Sequence, residues 1–272
     1  MYGAILGDII GQPYEFDRSP KTKDFPLFSR IPHFTDDSVM TIAICDGILK
    51  AGQDADENTM KTAMITSMQL WGHKYPHAGY GGRFYQWLAM EKTKPYKSWG
   101  NGSAMRVSSV GWLFESLERT REVARWSAEV THNHPEGVKG AESIASVIWM
   151  ARNGYFKTKI KEYVIKEFGY DLSRTCDQIR PNYHHVESCQ ETCPEAITAF
   201  LEGNSFEDVI RTAVSLGGDC DTLTDIATAM AEAFYGLSEE LKVKCIEYTK
   251  PDMHEVMKEF DKYQIPAKRL EA

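Results

Sequence analysis

Apolar residues recur at intervals of three and four along most of this chain, and strict alternation over five or more residues is rare. Helix is therefore the element that its apolar faces can build and bury. Val39, Ile42, Ala43, Ile48 and Leu49 form one such series. The spacing predicts helices over 37–50, 57–71, 121–131 behind Thr120, 137–152, 157–168, 194–202, 206–216, 222–235, 238–248 and 252–262. Gly217 and Gly218 close the helix of 206–216 as a C-cap requires. Segments 11–34, 73–104 and 171–193 read as irregular, and no low-complexity linker or fixed-period repeat interrupts the pattern. In a helical body, loops of this kind are where a site is built.

With 272 residues the chain is long enough to bury a sizeable core. Its net charge of -8 argues against broad affinity for nucleic-acid phosphate or anionic membrane. The opening stretch MYGAILGDII has no basic residue and meets Asp8 before its apolar run could act as a signal peptide. No stretch approaches the roughly 20 apolar residues of a membrane span. A cytosolic (cytoplasmic) protein is expected, with its six cysteines as reduced thiols. His184, His185, Cys189 and Cys193 invite a zinc reading, but their spacing matches none of the usual ligand hooks. They read instead as a loop leading to a helix that begins near Pro194, since proline is favoured at the first helical position.

Two stretches carry closely spaced acids beside a threonine: FTDDSVM at 34–40 and SLGGDCDTLTD at 215–225. Adjacent carboxylates repel unless something positive lies between them, so each is either a solvated helix start or a set of cation ligands. As helix starts they would cap and favour the dipole. Each, however, opens an apolar helix that should be buried, and buried carboxylates are paired or bind metal. Taken together they favour metal. The donors would be all oxygen, from Thr35, Asp36, Asp37, Asp219, Asp221 and Thr222, which selects a hard cation such as Mg2+ or Mn2+. Six oxygens exceed what one Mg2+ usually takes from protein, so two ions are the more natural count. An EF-hand from Asp219 would need glycine at Thr224 and glutamate at Met230, and an Asp-rich prenyl-diphosphate motif from Asp36 would need an acid at Met40.

The ordered set GDIIGQPYEF, FTDDSVM, GYGG, SWGNGSAMRV, THNHPEG and SLGGDCDT, running from Gly3 to about Tyr235, resembles the ADP-ribosylglycohydrolase family. The resemblance implies an all-α fold, a compact single-domain orthogonal helical bundle over 1–272, with a two-metal site at helix starts. It implies a hydrolase that cleaves ADP-ribose from a modified acceptor, with Mg2+ (two ions) or Mn2+ as cofactor. Carried over by position, the metal ligands are the six residues named above, and Glu15 matches the catalytic glutamate, with Asp36 and Asp37 as further catalytic candidates. Gly79 and Gly81 of GYGG match residues whose backbone approaches the diphosphate, where a Cβ would interfere. Ser98, Trp99, Gly100 and Asn101 match the ADP-ribose loop, and His132 a ligand-contacting histidine. His134, before Pro135, reads as a turn residue. Ser38 and Cys220 stand where threonine is usual, and Cys220 could make the site sensitive to oxidation.

The expected partner is an ADP-ribosylated protein or an ADP-ribosyl small molecule. YEF and NGSAMR look like the bacterial arginine-directed branch of the family, whereas SWGNG looks as much like the serine-directed animal branch. The acidic chain and the aromatics Tyr75, Tyr80, Phe84, Tyr85 and Trp99 suit a guanidinium, so arginine is slightly favoured over serine. The alternative is a non-catalytic ADP-ribose-binding or structural, crystallin-like member.

Overall fold

The structure, a computed structural model, describes residues 1–268. Its helices in chain order are α1 (Tyr2–Gly11), α2 (Asp36–Ala51), α3 (Glu57–Lys74), α4 (Gly82–Leu88), α5 (Gly102–Met105), α6 (Val110–Leu113), α7 (Leu117–Glu129) and α8 (Pro135–Arg152). They continue as α9 (Lys157–Phe168), α10 (Cys176–Ile179), α11 (Cys189–Glu202), α12 (Phe206–Leu216), α13 (Cys220–Tyr235), α14 (Glu239–Tyr248) and α15 (Pro251–Tyr263). The fold is all-α. No strand forms among the described residues, and the one strand-like pairing is an isolated bridge between Gly100 and Ser188.

Helix α13 is the axis of the body. Nearly every residue in it is buried, and α1, α12, α11 and α8 pack around it. The approach of α1 is the closest. A Cβ at Gly3 or Gly11 would lie 2.5 Å from the carbonyl oxygen of Thr228 or Cys220, and one at Gly7 would lie 2.6 Å from Asp225 Cα. Glycine at every fourth position thus cuts a groove along α1 into which the α13 backbone fits. At the other end, Gly217 and Gly218 both adopt left-handed φ, 75° and 77°. They reverse the chain between α12 and α13 and leave Asp219 as the residue before the first turn of α13.

The long helices match their apolar spacing, and several starts are set by side chains that accept from free N–H groups. Asp56, Ser205 and Ser238 cap α3, α12 and α14 in this way. Helix α7 begins four residues before the expected 121, because Ser116 caps Arg119 N at 3.1 Å and Thr120 turns inward, its hydroxyl bonding back to the Ser116 carbonyl at 2.9 Å. Pro194 is not the first residue of its helix. α11 starts at Cys189, held there when Cys189 N donates to Trp99 O at 2.9 Å, so tertiary pairing overrides the local proline signal. α1, and α4 inside the segment read as irregular, also form although their sequences lack caps. Burial against neighbours, not propensity, holds them.

No helix among the described residues is long and apolar enough to cross a membrane. The α1–α13 contact gives a direct test. Gly7→Ala should force the two backbones apart and cost at least about 1–3 kcal/mol in urea unfolding. Gly82→Ala, where a Cβ meets nothing within 4 Å, should cost little. Equal stability of the two variants would show that α1 has room to spare.

Candidate active site

Two helix starts face each other across a cleft of about 330 Å³. Asp36 and Asp37 open α2, and Asp219 and Asp221 open α13. Positive helix N-termini offset part of the acidic charge, each by about 0.3–1 kcal/mol. That is far too little for four carboxylates drawn out of water together. Burial, followed by the neighbouring acids, pushes Asp37 and Asp221 well above the ordinary carboxylate range. Asp36 is pushed up to about 8, by desolvation first and then by Asp8, with Asp219 and Glu15 adding to it.

Asp8, on α1 and fully buried, closes this cluster from beneath. It accepts from Thr35 N and Thr35 Oγ1, both at 2.8 Å, from Ser38 N at 3.1 Å, and from the Ser38 hydroxyl. In this way α1 supplies the acceptors for the free N–H groups at the start of α2. Carboxylate oxygens of Asp8, Asp37 and Asp221 lie within 4.8 Å of one another, and so do those of Glu15, Asp219 and Asp221. Asp221 belongs to both groups. Asp37 Oδ1 is buried without any hydrogen-bond partner. An orphaned buried carboxylate oxygen, among donors that are all oxygen, is the environment that a hard cation satisfies.

Glu15 follows the 3₁₀ turn Gln12–Tyr14 and is half-buried at the cleft edge. Desolvation, then Asp219, pushes it up to about 7. The next two residues, Phe16 and Asp17, and then Lys21, hold left-handed φ of 54°, 58° and 56°, which costs each non-glycine residue about 1 kcal/mol or more. Contacts on both sides retain the strained loop. Phe16 stacks on His185 with ring centroids 5.0 Å apart, and Lys21 Nζ donates to the carbonyls of Tyr183 and Leu216 at 2.7 and 2.6 Å.

Opposite Glu15, the segment before α4 brings Gly79 against the start of α2. Its φ is 109°, and a Cβ there would lie 3.3 Å from Asp36 Oδ1. The Gly100 turn is tied to α13 by Asn101, whose Nδ2 donates to Asp219 Oδ2 at 2.6 Å and to Thr192 Oγ1 at 3.1 Å. It is tied to the loop before α11 by Asn101 N donating to Glu187 O at 2.9 Å. His132 is buried at the far end of the cleft, where burial first, and then Arg106 and Arg83, hold it well below the usual histidine range. The cleft therefore has an acidic end at the helix starts and a basic end at Arg83 and Arg106.

Most residues singled out in the sequence share this cleft: Glu15, Asp36, Asp37, Gly79, Gly81, Ser98, Gly100, Asn101, His132, Asp219, Asp221 and Thr222 all line it. Thr35 does not, because its hydroxyl is turned to Asp8 and Asp37. Trp99 also lies elsewhere, half exposed in an adjoining groove with Glu187 and Glu191, its ring edge-on to His134. Tyr75 hydrogen-bonds to Asp252 at 2.7 Å instead of facing the cleft. Cys220 is fully buried and burial pushes its thiol up, so the oxidation sensitivity expected of it lacks an exposed thiolate. His134 caps α8 through Nδ1, which accepts from Glu136 N at 3.2 Å. Sequence reasoning missed Asp8 and Arg106 as site residues, and it missed Asp225, whose two buried carboxylate oxygens have no partner. The signal for Asp8 was present: it is the one charge inside the apolar stretch GAILGDIIG.

A solved structure described as an ADP-ribosylglycohydrolase-related protein complex superposes with a TM-score of 0.72 at 19% identity, covering 97% of this chain and 95% of that one. At that identity the likeness defines the class of fold. The ADP-ribosylglycohydrolase family profile matches residues 1–264, and the chain belongs to that family. ADP-ribosylhydrolase ARH3 of Mus musculus is 25% identical over 312 residues, covering 87% of this chain and 83% of its own. ADP-ribosylarginine hydrolase Tri1 of Pseudomonas putida (strain GB-1) is 23% identical over 272 residues, covering 88% and 70%. The protein is accordingly a glycosyl hydrolase that releases ADP-ribose from an acceptor.

The crowded carboxylates generate a signed pH effect. Each binds its proton more tightly folded than unfolded, where the reference value is about 3.9. The metal-free fold therefore loses stability as pH rises from about 4 toward the value of about 8 reached by Asp36. Asp37→Asn removes one of these charges. In EDTA it should gain stability relative to wild type across that interval, by about 1–3 kcal/mol at the upper end. A divalent cation bound by these acids would stabilise the wild type, by about 2.7 kcal/mol at a hundredfold excess over Kd, and the variant should lose most of that effect. Thermal unfolding of both proteins, with and without Mg2+, reads each effect, and parallel curves would remove the electrostatic account.

Proposed function

We propose that this enzyme removes ADP-ribose from a modified protein side chain with the help of two divalent cations, Mg2+ or Mn2+, held between the starts of α2 and α13. The observation that carries this reading is the pair of carboxylate clusters that share Asp221, in one of which Asp37 Oδ1 is buried without a partner. Asp36, Asp37, Asp219, Asp221 and Thr222 would hold the ions with Asp8 beside them, while Thr35, whose hydroxyl is turned to Asp8 and Asp37, would orient those two carboxylates instead of binding metal. When bound, such ions neutralise the crowded acids, polarise sugar hydroxyl oxygens and acidify a bound water.

The chain's own groups account for the remaining requirements. The reaction joins a water oxygen to the ribosyl C1″ as the bond from C1″ to the acceptor breaks, and a proton passes to the acceptor. Glu15, half-buried beside Asp219 and Asp221, would take the proton from the water. Its ordinary counterparts, the ligand acids, would be committed to the cations. The diphosphate fits between the two ends of the cleft, over Gly79 and Gly81 and within reach of the positive charge of Arg83 and Arg106. His132 would contribute from the end of the cleft that holds Arg106 and Arg83.

An arginine acceptor is favoured over serine. The groove that continues from the cleft at Arg83, Ser98, Gly100 and Glu187 offers the half-exposed Trp99 ring and the carboxylates of Glu187 and Glu191, two acids against the one cation of Arg83, which suits a guanidinium. The Pseudomonas putida relative, an ADP-ribosylarginine hydrolase, points the same way. The purified enzyme, given arginine-linked and serine-linked ADP-ribosylated proteins at equal concentration with saturating Mg2+, should release ADP-ribose faster from the first. The reverse order would change the acceptor, and binding of ADP-ribose without release from either would return the non-catalytic reading.

Variants divide the roles. Asp219→Ala should abolish turnover and lower divalent-ion binding in calorimetry. Glu15→Gln should cost about 10² to 10⁴ in rate while ADP-ribose still binds. A rate for Glu15→Gln within a few fold of wild type would transfer the proton role to an aspartate.

A further inference from the structure

The hydrogen bonds behind His132 have a direction that their donors force. Arg106 is 1% exposed and forms no ion pair with a carboxylate among the described residues. Its Nη2 donates to the Ser127 carbonyl and to Thr131 Oγ1, both at 2.7 Å. A guanidinium has no acceptor, so Thr131 Oγ1 must receive. The same oxygen lies 2.7 Å from His132 Nδ1. Thr131 is fully buried, and its hydroxyl proton has no other acceptor among the described residues. Were Nδ1 to carry a hydrogen and donate it to Thr131, that hydroxyl proton would be buried and unbonded, an arrangement folded proteins avoid. The hydroxyl therefore donates to a bare Nδ1, and the neutral ring carries its proton on Nε2.

Nε2 points at the turn that carries the candidate ligand loop. A Cβ on Gly100 or on Gly102 would each lie 3.4 Å from it, so glycine at both positions keeps the space above this nitrogen open to the cleft. We propose that Arg106 and Thr131 are positioning residues that hold His132 as its Nε2–H tautomer, a neutral donor directed across the Gly100–Gly102 turn at an oxygen of the bound ADP-ribosyl group. The direction of the donor rests on the proposed function, because it takes the cleft to hold that group. The tautomer itself does not. Burial and the cations of Arg106 and Arg83 also oppose a second proton on the ring, which agrees with a single fixed donor.

Long-range 1H–15N spectra of the Mg2+-loaded, ligand-free protein test this, with the His132 signals identified by their loss in His132→Gln. The wild type should show Nδ1 bare and Nε2 protonated at pH 7. Thr131→Val, which keeps the shape but removes the hydroxyl, should give a mixture of tautomers and raise the Kd of ADP-ribose about tenfold in calorimetry. Thr131→Ser should restore both. A wild-type proton on Nδ1, a doubly protonated ring, or a Thr131→Val protein with unchanged tautomer and Kd would overturn the inference. Should the valine variant not fold, the wild-type spectrum and the serine variant still decide it. A wild type that binds no ADP-ribose refutes the proposed function, whereas the ring assignment is read without ligand and stands or falls by itself.

Discussion

The contact between α1 and α13 is closer than any side chain larger than glycine allows, and the rest of the site is arranged by it. Bringing the two backbones together at Gly3, Gly7 and Gly11 fixes where Asp8 stands. Asp8 in turn holds the first turn of α2 through Thr35 and Ser38. The start of α2 is thereby registered against the start of α13, although neither helix determines the other's position through its own apolar face. The extended 3₁₀ turn that follows α1 carries Glu15 to the same edge. Three segments far apart in sequence meet because one pair of helices has no space between them.

This geometry gathers negative charge at one end of the cleft, and the balance is made up locally rather than by salt bridges. No lysine or arginine pairs with Asp36, Asp37, Asp219 or Asp221 among the described residues. Asp219 receives an amide hydrogen from Asn101, and Asp221 one from the backbone of Thr222 at 3.0 Å. Neutral donors orient carboxylates without removing their charge, which leaves that charge available to a cation. At the other end Arg106 is a buried cation without an acid. The two ends suit a ligand whose hydroxyls meet the acids and whose phosphates meet the cations.

The sequence made the long helices legible because each has an apolar face and several are capped by an accepting side chain, as with α12 between Ser205 and Gly217. The two acid pairs were legible as a single site because buried carboxylates have few uses. Other features depend on packing that no short window contains. α1 lacks a cap and carries three glycines, which lower its propensity, and it forms because α13 covers it. Pro194 looks like a helix start until the Gly100–Ser188 bridge is known to begin α11 five residues earlier. Trp99 is adjacent in sequence to cleft residues yet faces the neighbouring groove, since successive residues in an extended turn point to opposite sides. Arg106 read as part of a motif, but its role follows from Thr131 and His132, which approach it only in three dimensions.

The same helix pair sets a schedule for the nascent chain. More than 200 residues separate the glycine-notched face of α1 from the helix that covers it. At about 5–20 residues per second of synthesis, α1 waits roughly 10 to 45 s for its partner. Throughout that time Ile5, Leu6, Ile9 and Ile10 lack the α13 surface, with only α2 of their long native neighbours made early, and the acids of α2 stand without their counterparts on α13. The acidic cluster and the covering of α1 by α13 are completed in one late step, so a ribosome-bound chain that stops short of α13 has neither.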